Sequence, residues 1–323
     1  MGFRLLYIFA IIGLAWGTQV LAVSPSAISV SVAPPNPAPY ENVTVTLSSY
    51  AANLGTVNIS WLVNGKSALS GIGKSSFQVT AGAAGSEIRI IAKIFLPDGE
   101  IDKNIIIRPA ELVLLFEATD SYRPPFYKGR ALPTEGSEIK VVAMPEIKIG
   151  SSLASPKTLS YEWKKNYENS PGDSGYGRNF LIHSNDYLDA SSNISVVAST
   201  LDGKYSSGGN INIGSWEPQI AFYKKDSELG TLWERALPNP YRISGEEIVV
   251  AAPYFISPRD IRRPELVFRW FINNLMLPPK IIERNTIPLR VERGASGTSK
   301  LRLEIENTDK IFESASREIN IQF

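Results

Sequence analysis

One short stretch of the sequence carries residue types that nucleophilic catalysis requires. Ser174 lies in the run Pro-Gly-Asp-Ser-Gly-Tyr-Gly at 171–177, and His183 follows it nine residues later. A nucleophilic serine needs a histidine base that a buried carboxylate orients. His183 is the only histidine of the chain, and it comes after the serine, whereas proteases with a Gly-Asp-Ser-Gly pattern place it before. We therefore interpret 171–183 as a loop of turn residues, and we predict no catalytic residue and no enzymatic activity.

Metal ligands are scarce as well. The chain has no cysteine and one histidine, which excludes a structural zinc site. The oxygen ligands that calcium prefers occur as Asp98, Glu100 and Asp102, and again as Asp186 and Asp189. Hairpin turns and solvated loop tips also concentrate such residues, and the third repeat described below lacks them. We favour the turn interpretation, predict no metal and no cofactor, and leave calcium at these loops open.

Aromatic and arginine side chains recur around a repeated Arg-Ala-Leu-Pro segment, at 130–133 and 235–238. Such a surface suits a sugar or a protein partner, because cations attract ring faces and both residue types dominate binding energies. Its residues would be Tyr122, Phe126, Tyr127, Arg130, Tyr223, Trp233 and Arg235. Alternatively, the segment folds back over its own domain, with Leu132 or Leu237 against a sheet edge and the arginine stacked on an aromatic ring. Recurrence in two repeats favours this structural interpretation, since a binding site need not recur.

Three tryptophans mark the elements that must position these residues. Trp61, Trp163 and Trp270 are 102 and 107 residues apart, and they lie in the segments VNISWLVNG, TLSYEWKKN and LVFRWFINN. Apolar residues alternate in each segment, which predicts a strand with one buried face. We therefore predict that the three tryptophans are structural and that each lies in the centre of a domain core.

The rest of the chain repeats with the same spacing. One further strand is predicted before each tryptophan, and two follow it, joined by turns such as Asp98-Gly99 and Asp202-Gly203. A unit of about 105 residues with six or seven short antiparallel strands is typical of a β-sandwich. We predict an all-β fold with three tandem immunoglobulin-like β-sandwich domains after an N-terminal signal segment. The predicted boundaries are 1–22 for the segment and 23–109, 110–214 and 215–323 for the domains.

A proline-rich entry at 34–39, the runs ENVTVTL and ISWLVNG, and the Asp-Gly turns together form a pattern. The pattern resembles bacterial immunoglobulin-like domains of the PKD-like kind. YEWKKN at 161–166 stands where that family has Tyr-x-Trp-x-Phe-Gly-Asp-Gly, and the chain lacks the Phe-Gly-Asp-Gly part. The resemblance implies a spacer, a stalk or an adhesion module of a cell-envelope protein.

The N-terminal segment has the pattern of an export signal. An apolar run follows Arg4 and ends at Trp16, and Val20 and Ala22 fit the −3 and −1 positions of a cleavage site. An uncleaved membrane anchor is the alternative, since 5–23 is just long enough to cross a bilayer. Loss of Arg4 leaves 32 basic and 32 acidic residues, so no charge excess would attract nucleic acid or lipid. We predict no nucleic-acid partner, and membrane contact only through an uncleaved segment.

The absence of cysteine points to the source and the compartment. An exported protein of several β domains without a disulfide differs from animal secreted modules, so we expect a bacterial or archaeal protein, with a bacterial source favoured, that is periplasmic, exposed at the cell surface or secreted. The predicted function is that of a non-catalytic spacer, scaffold or adhesion module of the cell envelope. The alternative is a carbohydrate- or protein-binding module that uses the Arg-Ala-Leu-Pro loops and the adjacent aromatic residues. In both cases the partner is an unknown protein or glycan at the cell surface.

Overall fold

The structure is a computed structural model. It describes residues 24–184, 191–278, 284–310 and 312–323. The predicted signal segment at 1–22 and two of the acidic residues considered above, Asp186 and Asp189, lie outside the described residues.

Nearly all regular structure in these ranges is β-strand. Two short 3₁₀ turns, Pro25–Ala27 and Pro156–Thr158, are the only helical elements in the described ranges. None of the described residues forms a helix that is long and apolar enough to cross a membrane.

Seven strands form what we call the first sandwich. They are β1 (Ile28–Ala33), β2 (Asn42–Ser49), β3 (Asn58–Val63), β4 (Lys66–Ile72), β5 (Ser76–Thr80), β6 (Ile88–Leu96) and β7 (Gly99–Ile107). One antiparallel sheet has the order β1-β2-β5 and the other β4-β3-β6-β7. Alternation creates the core between them: Val43, Val45 and Leu47 of β2 are buried, whereas Thr44 and Thr46 are partly exposed.

The middle sandwich follows with the same arrangement. Its strands are β8 (Glu111–Ala118), β9 (Glu138–Glu146), β10 (Lys148–Ile149), β11 (Ser152–Leu153), β12 (Ser160–Lys165), β13 (Glu168–Asn169), β14 (Gly175–Tyr176), β15 (Phe180–Ser184), β16 (Ser191–Ser199) and β17 (Ser206–Gly214). The two main sheets have the orders β15-β9-β8 and β13-β12-β16-β17, and β14 also pairs with β12. Strands β10 and β11 form a separate small hairpin.

The last sandwich completes the chain. Its strands are β18 (Gln219–Asp226), β19 (Gly230–Thr231), β20 (Tyr241–Arg242), β21 (Glu246–Tyr254), β22 (Leu266–Ile272), β23 (Leu275–Met276), β24 (Thr286–Arg290), β25 (Thr298–Asn307) and β26 (Ser314–Gln322). The sheet orders are β19-β18-β21-β24 and β20-β26-β25-β22-β23. Strand β20 is the exception to the antiparallel pattern, because it pairs in parallel with β26.

The three sandwiches share one topology. The triplets β1-β2-β5, β8-β9-β15 and β18-β21-β24 correspond, and so do the tryptophan strands β3, β12 and β22 with the two strands that follow each of them in its sheet. Two facing antiparallel sheets with three and four principal strands are the immunoglobulin-like arrangement. The predicted all-β fold of tandem immunoglobulin-like sandwiches is therefore confirmed.

The chain divides into two compact units between Pro109 and Ala110. The first sandwich belongs to one unit, and the middle and last sandwiches together form the other. Each sandwich has its own cluster of buried apolar residues between its sheets. The three domain boundaries given above stay predictions.

A tryptophan joins the two sheets within each sandwich. The three indoles are buried, with exposures of 0%, 1% and 9% in chain order. Each indole N–H donates to a backbone carbonyl oxygen two residues before the edge strand of the opposite sheet, which is β5, β15 or β24. The bonds are Trp61 to Lys74 at 2.7 Å, Trp163 to Arg178 at 2.8 Å and Trp270 to Arg284 at 3.0 Å. The ring thus fills the core while its only polar group is satisfied.

An asparagine three residues after each tryptophan ends the strand. Asn64, Asn166 and Asn273 all have φ of 49°, a left-handed conformation that asparagine tolerates better than most residues. Each side-chain Oδ1 accepts a backbone N–H from the neighbouring strand. The bonds come from Arg89 at 2.9 Å, from Asn193 at 2.8 Å and from Lys300 at 2.8 Å. The repeated Trp-x-x-Asn pattern therefore encodes a core ring followed by a specific turn.

Candidate functional site

The structure gives Ser174 a structural role. Its hydroxyl donates to the carbonyl oxygen of Ser170 at 2.7 Å and accepts the backbone N–H of Trp163 at 2.9 Å. These bonds hold the glycine-rich loop against β12. His183 lies in β15, where its Nδ1 is 3.3 Å from the carbonyl oxygen of Ser184, and burial lowers the pKa of the imidazole. Neither hydrogen-bond partner of the Ser174 hydroxyl is a base that could activate it.

The acidic residues of the first sandwich face a lysine. Lys93 Nζ lies 2.6 Å from Glu100 Oε1 and 3.5 Å from Asp102 Oδ2 across the β6–β7 pair. The hydrogen bond from Lys93 is the main cause that holds the pKa of Glu100 below its usual value. In the part of the chain that the structure describes, no group of three or more His, Cys, Asp or Glu side chains could hold a metal ion.

The aromatic residues around the repeated segments meet where the middle sandwich contacts the last one. Tyr127 packs edge-on against Tyr254 at 5.7 Å and Phe255 at 5.6 Å between ring centroids. The hydroxyl groups of Tyr223 and Tyr254 are 2.6 Å apart, and Trp233 lies 5.1 Å from Tyr223. Burial is the largest cause that raises the pKa of Tyr223, and the hydrogen bond with Tyr254 raises it further. This phenol therefore stays neutral.

The other predicted surface residues lie farther out. Phe126 is 82% exposed, and Arg235 is also exposed. The exposed guanidinium of Arg130 stacks over the ring of Phe116 with 4.0 Å between Cζ and the ring centroid. Leu237 packs against the core of the last sandwich. These contacts agree with a loop folded back over its own domain, and the predicted binding surface stays a prediction.

The backbone also joins the two sandwiches. The Tyr122 N–H donates to the Ile256 carbonyl at 2.7 Å, and the Phe255 N–H donates to the Tyr122 carbonyl at 2.8 Å. Tyr122 follows β8, and its two partners follow β21. This pair of bonds fixes the backbone of Tyr122 relative to the last sandwich, and the Tyr122 ring packs against the core of that sandwich.

A buried carboxylate lies at the centre of the same junction. Glu313, which precedes β26, is 1% exposed, and both of its oxygens accept hydrogen bonds. Oε1 accepts from Thr134 Oγ1 at 2.6 Å and from the Ser257 backbone N–H at 2.8 Å. Oε2 accepts from Ser257 Oγ and from Asn307 Nδ2, both at 2.6 Å. We call Thr134, Ser257, Asn307 and Glu313 the junction network.

A partly exposed ion pair lies beside the junction network. Lys310 Nζ donates to Asp120 Oδ2 at 2.7 Å and to the carbonyl oxygen of Gly136 at 2.8 Å. Lys310 belongs to the turn after β25, and both acceptors belong to the β8–β9 connection. Trp216 adds a backbone bond to the Pro133 carbonyl at 2.8 Å. Apolar, polar and ionic contacts therefore all connect the middle and last sandwiches.

A cleft with a volume of about 880 Å³ opens beside this junction. Its wall includes a ring from the β8–β9 connection and rings and cations from the last sandwich. We call it the arginine cleft and define it by Tyr122, Trp233, Phe268, Arg259, Arg262 and Arg284. Lys225 also lines it, whereas Asp260 is the only carboxylate among its described lining residues. Among the described lining residues, the cleft therefore combines aromatic side chains with more basic than acidic ones.

The core of the last sandwich holds one of these arginines in place. The Arg284 carbonyl accepts the indole N–H of Trp270, and its guanidinium Nη1 donates to the carbonyls of Arg263 and Leu266 at 3.2 and 3.3 Å. Arg262 is held differently, because its Nε lies 2.9 Å from Asp260 Oδ1. Among the described residues, no carboxylate forms an ion pair with Arg259 or Arg284.

Part of this site is predictable from the sequence. Tyr122 and Trp233 were among the predicted surface residues, and both line the cleft. Phe268 and the arginines were missed, although the run PRDIRRPE at 258–265 places three arginines within five positions. This concentration of arginines is visible in the sequence, but nothing in the local sequence indicates that the arginines face the aromatic residues.

The geometry defines the class of protein: the chain consists of tandem immunoglobulin-like β-sandwich domains. No protein-family model matches the sequence, and no curated protein matches it either. The solved structures to which the chain is similar include arrays of fibronectin-III-like domains.

The central fibronectin-III array of RIM-binding protein is 10% identical, with a TM-score of 0.31, and the match covers 88% of this chain and 92% of that one. The fibronectin(III)-like modules of Clostridium thermocellum CbhA are 12% identical, with a TM-score of 0.27 and coverage of 58% and 94%. Extracellular domains 3–5 of Drosophila OTK are 13% identical, with a TM-score of 0.21 and coverage of 88% and 92%. At these scores the fold class rests on the sheet topology of the chain itself.

Proposed function

We propose that this chain is an exported, non-catalytic protein of the bacterial cell envelope that acts as a spacer, scaffold or adhesion module. One observation supports the scaffold role: the middle and last sandwiches are joined by a buried hydrogen-bond network around Glu313. A scaffold must hold its domains in a fixed relation, and a fully satisfied buried network is a rigid connection. Linkers between independent domains, by contrast, have few contacts across them.

Two further features support a role without catalysis. The hydroxyl of Ser174 is used to hold its loop to β12. His183 lies beside the carbonyl of Ser184, and its pKa is lowered by burial. The residues with the types required for acyl transfer thus have structural surroundings.

The rigidity is tested by residual dipolar couplings measured on the full chain. One alignment tensor is expected to fit the amide couplings of residues 110–214 and of residues 215–323. Two different tensors would mean that these domains reorient independently, and the scaffold proposal would then fail.

The proposal that the protein is exported is tested separately. The protein is produced from its full sequence in a bacterial host, the cells are fractionated, and the N-terminus of the product is determined by mass spectrometry. A chain that begins at Val23 in an extracytoplasmic fraction is expected. A full-length chain confined to the cytoplasm would contradict export.

A second candidate function is favoured by the arginine cleft. We propose that the chain is also a carbohydrate- or protein-binding module, as the aromatic residues beside the Arg-Ala-Leu-Pro loops predict. Tyr122 and Trp233, which precede the two loops, line one cleft together with basic residues. A concave site with a few convergent polar groups is the usual form of a ligand site. Titration of the full chain with saccharides and peptides tests this function.

A further inference from the structure

We infer that the arginine cleft binds an acidic saccharide, meaning a sugar chain that bears carboxylate or sulfate groups. The inference rests on the second candidate function, since it names the ligand class for a binding module. It does not depend on export, whereas the position of Tyr122 in the cleft depends on the contact between the middle and last sandwiches. Three properties of the cleft carry it: its rings, its cations and its volume.

The rings offer flat apolar surface. Trp233 is partly buried, and its position is fixed by its 5.1 Å contact with Tyr223 and by a backbone bond to Thr231 at 3.0 Å. The backbone of Tyr122 is fixed by its bonds with Ile256 and Phe255, and its ring packs against the core of the last sandwich. A pyranose ring has an apolar face of C–H groups that packs against an aromatic face, because the ring quadrupole makes that face partly negative. Rings held by their own contacts lose little entropy when they bind.

The cations suit anionic groups that present two oxygens to parallel hydrogen bonds. Arg259 is exposed, and the Arg284 guanidinium is held by two backbone carbonyls. A guanidinium presents parallel N–H groups that match a carboxylate or sulfate in a bidentate pair. Arg262 already has Asp260 as its partner, so Arg259 and Arg284 are the residues that we expect to contact the anionic groups of the ligand.

The volume and the charge distribution narrow the ligand class. About 880 Å³ lies within the range of about 300–1,000 Å³ that is usual for small-molecule sites, which suits a few sugar rings. The predicted mature chain has equal numbers of acidic and basic residues, so the positive charge is a local property of the cleft. A nucleic acid needs an extended basic surface, whereas one or two anionic groups on a short saccharide need only a local pair of arginines.

The experiment is a calorimetric titration of the full chain with three matched probes. The first is a trisaccharide of galacturonic acid, which combines rings with carboxylates. The second is a neutral galactose trisaccharide, which lacks the charge, and the third is a glutamate tripeptide, which lacks the sugar rings. The acidic trisaccharide is expected to bind about tenfold more tightly than either control, in a salt-dependent manner.

Two variants assign the binding to the cleft. Arg259→Ala is expected to weaken binding of the acidic trisaccharide about tenfold, because it removes one charge-assisted contact. Arg317→Ala removes an exposed arginine from β26, outside the cleft, and is expected to change the affinity by less than about twofold. Both positions are exposed, so both variants should fold, which circular dichroism verifies.

Three results would overturn the inference. Equal binding of the glutamate tripeptide would leave a binding module but would exclude the saccharide class. Equal weakening by the two variants would place the binding outside the cleft. Absence of binding by all three probes would reject both the inference and the ligand site.

Discussion

The buried carboxylate of Glu313 allows a quantitative test of the junction. Glu313→Gln keeps the shape of the side chain and replaces one oxygen with an NH₂ group. If the NH₂ takes the place of Oε1, it faces the Ser257 backbone N–H, and in the place of Oε2 it faces Asn307 Nδ2. Asn307 cannot turn its amide without cost, because its Oδ1 accepts the Asp309 N–H at 3.0 Å. One donor is therefore left facing another donor in either orientation.

The magnitude follows from the number and kind of bonds lost. A hydrogen bond to a charged group contributes about 1.5–3 kcal/mol, and a buried donor left unsatisfied costs about 1–3 kcal/mol. The hydroxyl groups of Thr134 and Ser257 can rotate and accept from the new NH₂, which recovers part of the loss. We expect the free energy of unfolding to fall by about 2–4 kcal/mol.

Equilibrium unfolding of the full chain in urea, followed by tryptophan fluorescence, measures this change. Glu306→Gln is the matched control, because Glu306 forms an exposed ion pair with Arg269 at 2.6 Å on the same sheet. Exposed pairs contribute about 0–1 kcal/mol. The wild-type unit from Ala110 to Phe323 should unfold in one transition, which Glu313→Gln should split in two. A loss no larger than that of Glu306→Gln would refute the reasoning.

Two more predictions concern single side chains. Because burial lowers the pKa of His183, the unfolded chain takes up its proton first. In urea titrations from pH 7.5 to 5.5, the free energy of unfolding should therefore keep its full value above about pH 6.5 and decrease below that pH. His183→Asn should reduce this fall, and an unchanged profile would count against it. Asn166→Ala should lower stability by about 2–3 kcal/mol, from the left-handed backbone and the lost Asn193 bond. Asn166→Gly should cost less in the same unfolding assay, and the reverse order would contradict the role of the left-handed turn.

The fold was predictable because its determinants are local. Each tryptophan strand shows its alternation within nine residues, and the repeat distance connects the copies. The asparagine turns were present in the sequence as well, in the three Trp-x-x-Asn patterns, but their role depends on a left-handed φ that only the structure shows. Fold class follows from such periodic signals, since one buried face per strand decides how the sheets pack.

The junction and the cleft were not predictable in the same way. Thr134 and Glu313 are 179 positions apart. The residues next to them in the sequence do not indicate that either side chain is buried. Arg284 lines the cleft because the indole of Trp270, which lies in the core, binds the Arg284 carbonyl oxygen. This contact depends on the tertiary structure. The aromatic residues were found because they recur in sequence, whereas the arginines of 258–265 occur in one repeat alone. Export, the cell envelope and the PKD-like subfamily stay predictions.

The burial of Glu313 has a consequence for the solutions in which the protein can work. Dissolved ions shorten the reach of charges to about 8 Å at physiological ionic strength and about 3 Å at 1 M, but they act only on charges that they can approach. The exposed pair of Arg269 and Glu306 should weaken as salt rises, whereas the oxygens of Glu313 are enclosed by their donors. The hydrogen bonds of Glu313 across the junction should therefore persist from low salt to about 1 M salt, whereas the partly exposed pair of Lys310 and Asp120 should weaken.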